Sequence, residues 1–225
     1  MGRQIALVAW DVCLYALFLF APVGTLRWPR AWVLLAVFLV LRISGTIRVW
    51  RVNRGVLVER SKPPVQEGQP LVDRILLLSF MATYGGVVAV SALDRFRWHL
   101  LPPPPAAVSA AGLVLFVAGW EIVTAVLRTN AFASTVVRHQ EERAHAVVDT
   151  GVYAIVRHPM YAGLAPVIVG LALWLESCTG AIAAVVPIGI LAMRILAEER
   201  FLRRELPGYA AYASRVRWRL LPGIW

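Results

Sequence analysis

The chain has 225 residues, of which 59% are apolar and 16% charged, with a net charge of +10 and a mean hydropathy of +0.67. Soluble domains carry roughly 45–50% apolar and about 25% charged residues, so a soluble fold is excluded, as is disorder, which needs low hydrophobicity. A chain both basic and this apolar points to a membrane protein with cationic loops, and no nucleic-acid partner is expected.

A membrane-crossing helix needs about 20 mostly apolar residues. Residues 4–24 supply the first such stretch. It has a basic start at Arg3, but Asp11 and the lack of a small-residue cleavage site argue for a retained span rather than a signal peptide. Residues 31–50 form the second span, followed by a polar loop over 50–70 containing Arg51, Arg54, Arg60 and Lys62. Residues 71–93 and 106–128 form the next two, joined by the stiff connector Leu101-Pro102-Pro103-Pro104-Pro105. The apolar stretch 160–197 is too long for one span, and Glu176-Ser177-Cys178-Thr179-Gly180 breaks it into a helical hairpin, 160–175 and 180–197. Glu176 then sits solvated at the hairpin tip. The tail after Glu198 starts helical, is broken by Pro207-Gly208, and resumes as a basic amphipathic segment from Tyr209 to Arg217. No internal repeat is evident.

The expected architecture is all-α and integral to the membrane. It has about six transmembrane helices, with N-terminal helices over 1–128 and a distinct region over 129–225. Six spans put both termini on one side. With that side inside, 18 of the 23 basic residues fall in inner segments, and only Arg27, Arg30, Arg95 and Arg97 fall outside. The bias predicts both termini in the cytoplasm, and a multi-pass protein of the cytoplasmic (inner) membrane.

Asp11, Arg42 and Glu121 lie inside spans, where an isolated charge costs several kcal/mol. Similar depth allows an Asp11–Arg42 ion pair. The charges either line a polar cavity or bridge helices. Cys13 and Cys178 lie in apolar segments without metal-ligand spacing, so neither a disulfide nor a metal is expected.

Residues with chemical potential crowd the last hundred positions. Arg138, His139, Gln140, Arg143 and His145 lead into Gly151-Val152-Tyr153. Next comes Arg157-His158-Pro159-Met160-Tyr161-Ala162-Gly163, directly before the hairpin. Pro159 suits a first helical turn, so Arg157 and His158 stand at a helix N-terminus whose backbone donors favour anionic groups. The hairpin returns to the same side at Arg194-Ile195-Leu196-Ala197-Glu198-Glu199, with Arg194 and Glu198 four apart on one helix face. Singly, each piece has a plainer reading. Arg157 and His158 serve as a positive flank, Glu198-Glu199 as a solvated helix end and Tyr161 as an interfacial anchor.

Together, Arg143-x-His145-x-Val147-Val148, Gly151-x-Tyr153, Arg157-His158-Pro159-x-Tyr161-x-Gly163, Glu198-Glu199-x-x-Leu202, Leu206-Pro207-Gly208-Tyr209-x-x-Tyr212 and Arg215-Val216 resemble the isoprenylcysteine carboxyl methyltransferase family, in its bacterial branch. The related phospholipid N-methyltransferases share the pattern. The match runs from about Asn130 to Trp225, and Val152 departs from the family's usual Pro. The resemblance implies a membrane methyltransferase that uses S-adenosyl-L-methionine in a cytoplasmic cleft. It implies that Tyr153, His158, Pro159, Tyr161, Gly163, Glu198 and Glu199 bind the cofactor and that Arg194 lies near a reacting carboxylate, which needs a cation such as Arg194 or Arg157 to position it. It also implies a lipophilic or prenylated acceptor drawn from the membrane lipids. No Gly-x-Gly-x-x-Gly element follows a strand, so a Rossmann cofactor site has no support. An NADPH-dependent sterol or enoyl reductase, with a similar C-terminal pattern, is the alternative enzyme, and a non-catalytic membrane protein is the alternative outside enzymes.

Overall fold

The computed structural model describes residues 2–138, 140 and 143–225, and the described residues form helices, turns and irregular segments without a strand. The helices are α1 (Gly2–Phe20), α2 (Pro29–Val52), α3 (Arg54–Arg60), α4 (Leu71–Leu93), α5 (Ala106–Thr129), α6 (Pro159–Trp174), α7 (Cys178–Ala183), α8 (Val185–Glu205) and α9 (Tyr209–Arg215). α4 is prolonged by a wider turn over Asp94–Trp98. Proline stands at the first turn of both α2 and α6, where its missing N–H is no loss.

α1, α2, α4, α5 and the α7–α8 unit are long and apolar enough to cross a bilayer. α6 has 16 residues, about 24 Å at 1.5 Å per residue, so it falls short of a hydrocarbon core of about 30 Å. Large apolar side chains such as Leu17, Val40, Ile75, Val114 and Val185 point outward. In water that would be unfavourable; against lipid it is the expected surface. The molecule is therefore an all-α, multi-pass membrane protein.

The hairpin forms, with shifted bounds. Its second arm begins at Cys178, breaks briefly at Ala184 ahead of Pro187, and runs on to Glu205. Ser177 caps α7 by accepting from the Gly180 N–H at 2.8 Å. Glu176 is not simply solvated. It pairs with Arg30 at 3.2 Å and Arg95 at 3.1 Å, because the α1–α2 and α4–α5 connections converge on the hairpin tip.

α5 and α6 run antiparallel at unusually close range. A Cβ on Gly119 would lie 2.4 Å from the Gly163 carbonyl oxygen, and one on Gly170 would lie 2.4 Å from that of Gly112. Both glycine pairs recur at seven residues, so they form one stripe on each helix. Small residues let backbones touch where no hydrophobic effect drives helices together. Phe38, Phe116, Ile168, Leu171 and Leu191 then fill the core around this seam.

The charges within the spans bridge helices. Arg42 of α2 bonds Asp11 of α1, and Arg48 of α2 makes two bonds of 2.7 Å to Glu121 of α5. The segment expected as a polar loop over 50–70 contains α3, which packs Val56 and Leu57 into the protein. The N-terminus lies beside it: Arg3 donates to the Ser61 carbonyl at 2.8 Å and Gln4 to that of Leu57 at 3.2 Å.

Candidate active site

At the end of the bundle that carries α3 and α9, an open cleft is roofed by described residues between Asn130 and Val148. The start of α6 supplies Arg157, His158, Pro159, Met160 and Tyr161, and α8 supplies Arg194 and Glu198. Tyr153, Tyr209 and Tyr212 complete the wall. The two arms of the hairpin thus deliver their polar ends to one place, as their return to the same side requires.

Glu198 and Glu199 are adjacent yet differently placed. Glu198 lines the cleft, and its Oε2 accepts the Tyr161 hydroxyl at 2.7 Å. Its Oε1 has no donor among the described residues. Glu199 is buried behind the wall. Its Oε1 accepts Arg157 Nε at 2.7 Å and faces His158 Nε2 at 3.2 Å, while its Oε2 accepts Arg219 Nε at 3.1 Å. Three basic groups converge on this carboxylate, so it organises the site from within.

Arg157 is likewise engaged. Its Nη1 donates to the Val216 and Arg217 carbonyls, both at 2.8 Å. The backbone N–H groups of Arg157 and His158 donate to the Trp218 and Arg219 carbonyls, both at 2.9 Å. The donors expected to face an anionic ligand are therefore taken by the chain's own C-terminal segment. The basic amphipathic segment expected over Tyr209 to Arg217 is helical as far as Arg215, and the chain then extends across the start of α6, a pairing that the sequence pattern did not reveal.

Arg194 reaches the cleft from α8. Its Nε donates to Asp73 at 2.8 Å and its Nη2 to the Thr135 carbonyl at 2.6 Å. Asp73 also accepts Gln69 Nε2 at 2.7 Å and the Val137 N–H at 3.0 Å. Sequence reasoning did not single out Asp73. The available signal was a carboxylate in the first turn of an otherwise apolar span, which reads equally as a solvated flank.

Of the residues expected to bind a cofactor, Tyr153, His158, Pro159, Tyr161 and Glu198 line the cleft, whereas Glu199 stands behind it. Gly163 also lies away from it, in the α5–α6 seam. The His145, Val147 and Val148 motif residues line the roof, with the His145 ring 4.7 Å from that of Phe132. His139 lies outside the described residues.

Tyr153, Tyr209 and Tyr212 are all held above the ordinary phenol pKa, chiefly by burial. They remain neutral hydroxyls at pH 7. Tyr212 donates to the Tyr153 carbonyl at 2.9 Å, but Tyr209 Oη is buried with no partner among the described residues. A buried hydroxyl without a partner is costly, and a ligand's polar group is the natural remedy.

Residues 108–207 match the family model for phospholipid methyltransferase. Protein-S-isoprenylcysteine O-methyltransferase B of Arabidopsis thaliana is 31% identical over 145 residues, covering 63% of this chain and 68% of that protein. The family-model match takes in α5 to α8 with the Arg157–Gly163 and Glu198–Glu199 motifs, and with the relative matched over 68% of its length the chain belongs to the isoprenylcysteine carboxyl methyltransferase family of integral membrane methyltransferases.

Proposed function

We propose that the cleft binds S-adenosyl-L-methionine at the cytoplasmic face and presents it to a lipophilic carboxylate, such as that of a prenylated cysteine, arriving from the bilayer. The observation that carries this reading is Glu198, a carboxylate lining an open, aromatic-walled cleft, with one oxygen that has no donor among the described residues. Such a wall suits a cationic ligand, because carboxylates attract cations and tyrosine faces add cation–π attraction. Glu198 would hold the cofactor's ammonium group, and Tyr209 Oη would meet one of its polar atoms. Tyr153, His158 and Pro159 would pack around it. When bound, S-adenosyl-L-methionine supplies an electrophilic methyl group.

The protein's own part is alignment. A carboxylate acceptor is ionised at pH 7, so no residue has to remove a proton. Holding the two reactants in line supplies much of the rate. Arg194, oriented by Asp73, offers positive charge to the acceptor. Arg157 acts indirectly, by tying Glu199 to the C-terminal segment. Glu199 and Gly163 support the pocket without touching the cofactor. The basic-residue bias supports cytoplasmic termini in an inner membrane.

Titration of the purified protein with S-adenosyl-L-methionine and with NADPH tests the reading. Saturable binding of the former, weakened in Glu198→Gln, is expected. Binding of NADPH alone would overturn it in favour of reductase chemistry.

A further inference from the structure

The outward face of α8 changes character along its length. Val185, Val186, Met193 and Leu196 are exposed on it, and after them Arg200, Arg203 and Arg204. At 3.6 residues per turn all of these side chains fall within an arc of about 100°. One straight stripe therefore runs from apolar to cationic, and the change comes between Leu196 and Arg200. On a membrane helix that change marks the step from acyl chains to headgroups. Glu205 lies outside the arc. Among the described residues no carboxylate pairs with the three arginines, and the hydrogen bond their side chains make runs from Arg204 Nε to the Arg200 carbonyl at 3.2 Å.

The C-terminal segment reaches the same level. Arg219 ties it to Glu199, the residue before Arg200. Leu220 and Trp225 pack against the bundle core, while Arg217, Trp218, Leu221 and Ile224 are exposed. A cation beside aromatic and apolar side chains is the composition that a headgroup layer accommodates. On α8, Glu198 points away from the stripe and into the cleft. The width of the helix, about 10–12 Å, separates the two, and exposed charges are screened over about 10 Å at 0.1 M salt. S-adenosyl-L-methionine is a net cation, because its sulfonium and ammonium outweigh one carboxylate. Three arginines this close to the cleft repel it unless an anion balances them.

We propose that Arg200, Arg203 and Arg204 form a docking surface for the phosphates of anionic membrane lipids, and that the docked lipid removes a repulsion that otherwise weakens cofactor binding. The guanidinium fork matches a phosphate in a two-pronged pair. The occupant is a lipid rather than free phosphate because the stripe continues without a break into its apolar part, where the lipid's own chains lie. Lipid docking stands on the stripe alone, while its effect on the cleft rests on the cofactor reading above.

The test uses the full chain in nanodiscs of phosphatidylcholine alone or mixed with phosphatidylglycerol. Wild type is compared with an α8 variant, Arg200→Gln/Arg203→Gln/Arg204→Gln. A control, Arg51→Gln/Arg54→Gln/Arg128→Gln, removes the same charge from exposed positions on other helices. Native mass spectrometry of protein released from the mixed nanodiscs counts the lipids retained. Wild type and control should keep phosphatidylglycerol in preference to phosphatidylcholine, and the α8 variant should lose that preference. Equal retention by wild type and the α8 variant, or an equal loss in the control, would overturn the docking surface. Affinity for S-adenosyl-L-methionine is then measured in both nanodiscs. Phosphatidylglycerol should strengthen it in wild type by at least threefold more than in the α8 variant, and soluble glycerol phosphate should not reproduce the gain. An equal gain in the two proteins would assign it to the potential of the whole membrane surface and overturn the link to the cleft. A gain produced by glycerol phosphate would overturn lipid as the occupant. A wild type that binds no S-adenosyl-L-methionine in either nanodisc would overturn the cofactor reading, and lipid retention would still decide the docking surface.

Discussion

Two neighbouring glutamates on one helix show how far residue identity falls short of residue role. Glu199 is shared by Arg157, His158 and Arg219 in a dry setting, so its loss leaves these three groups without their common carboxylate. Breaking a buried ion pair on one side typically costs about 3–5 kcal/mol. Glu199→Gln should therefore lower the thermal midpoint sharply, measured by light-scattering or fluorescence unfolding in detergent. Glu198 is partly exposed; among the described residues Tyr161 donates its one hydrogen bond, and His158 Nδ1 stands 4.0 Å away. Glu198→Gln should leave that midpoint nearly unchanged and weaken S-adenosyl-L-methionine binding by at least tenfold. The pair itself was legible in the sequence, because a helix ending in Arg194-x-x-x-Glu198-Glu199 must present it at the hairpin's return. Which member faces the cleft was not, because that depends on where Arg157 and Arg219 lie in space. Arg157 was legible as a charged site residue but not as a strap, since its partners are backbone carbonyls that no side-chain pattern reveals.

At the scale of elements, hydropathy located the spans closely, because lipid contact imposes the same apolar length on each helix whatever it packs against. It was less informative where helices meet protein. α3 was read as part of a polar loop because seven residues with three charges give no apolar run, yet tertiary packing buries one face of it. The α5–α6 seam was hidden too, since Gly163 carried a motif reading that drew attention to a ligand and away from the facing helix. A methyl group at Gly163 would stand 2.8 Å from the Gly119 carbonyl oxygen and 3.1 Å from Ile122. Backbone cannot yield as a flexible side chain can, so Gly163→Ala should cost about 1–3 kcal/mol. It should also displace the start of α6, weakening cofactor binding through position alone. Comparing unfolding in detergent with cofactor affinity checks both effects, and a stable variant with wild-type affinity would contradict the seam. α3 carries a second prediction. Burial alone would raise the carboxyl pKa of Glu59, but hydrogen bonds from Lys62 and Arg138 outweigh this and hold it below the ordinary value. A depressed carboxyl stabilises the fold above its unfolded pKa of about 4.3 and loses that contribution as the pH falls through the lower, folded value. Wild type should therefore lose stability on acidification below about pH 5, and Glu59→Gln should start less stable and show a flatter slope. Thermal midpoints taken across that range decide the point.

For the molecule as a whole, the site belongs to no single stretch of chain. Asp73 comes from α4, Arg194 and Glu198 from α8, and His158 and Tyr161 from the start of α6. The segment after α9 closes the arrangement. Its Trp218 and Arg219 carbonyls take the Arg157 and His158 N–H groups, its Val216 and Arg217 carbonyls take Arg157 Nη1, and its Arg219 side chain meets Glu199. It is tied in turn at its own end, where the Arg219 and Leu220 N–H groups donate to the Trp225 carbonyl at 2.7 and 3.0 Å and the Arg219 guanidinium lies over the Trp225 ring. Removing residues 216–225 would strip Arg157 of its carbonyl partners and Glu199 of one cation. The membrane helices would keep the α5–α6 seam and the core around Phe38, Phe116 and Leu171, losing only the packing of Leu220 and Trp225 at that core's edge. The shortened protein should thus insert and remain helical by circular dichroism, yet bind S-adenosyl-L-methionine at least tenfold more weakly. A variant keeping 216–225 but carrying Arg219→Ala should fall between the two, since it keeps the backbone pairing and loses only the side-chain contact to Glu199. If the shortened protein bound cofactor like the full chain, the segment would be a surface tail, and the orientation of His158 and Arg157 would have to come from α8 alone.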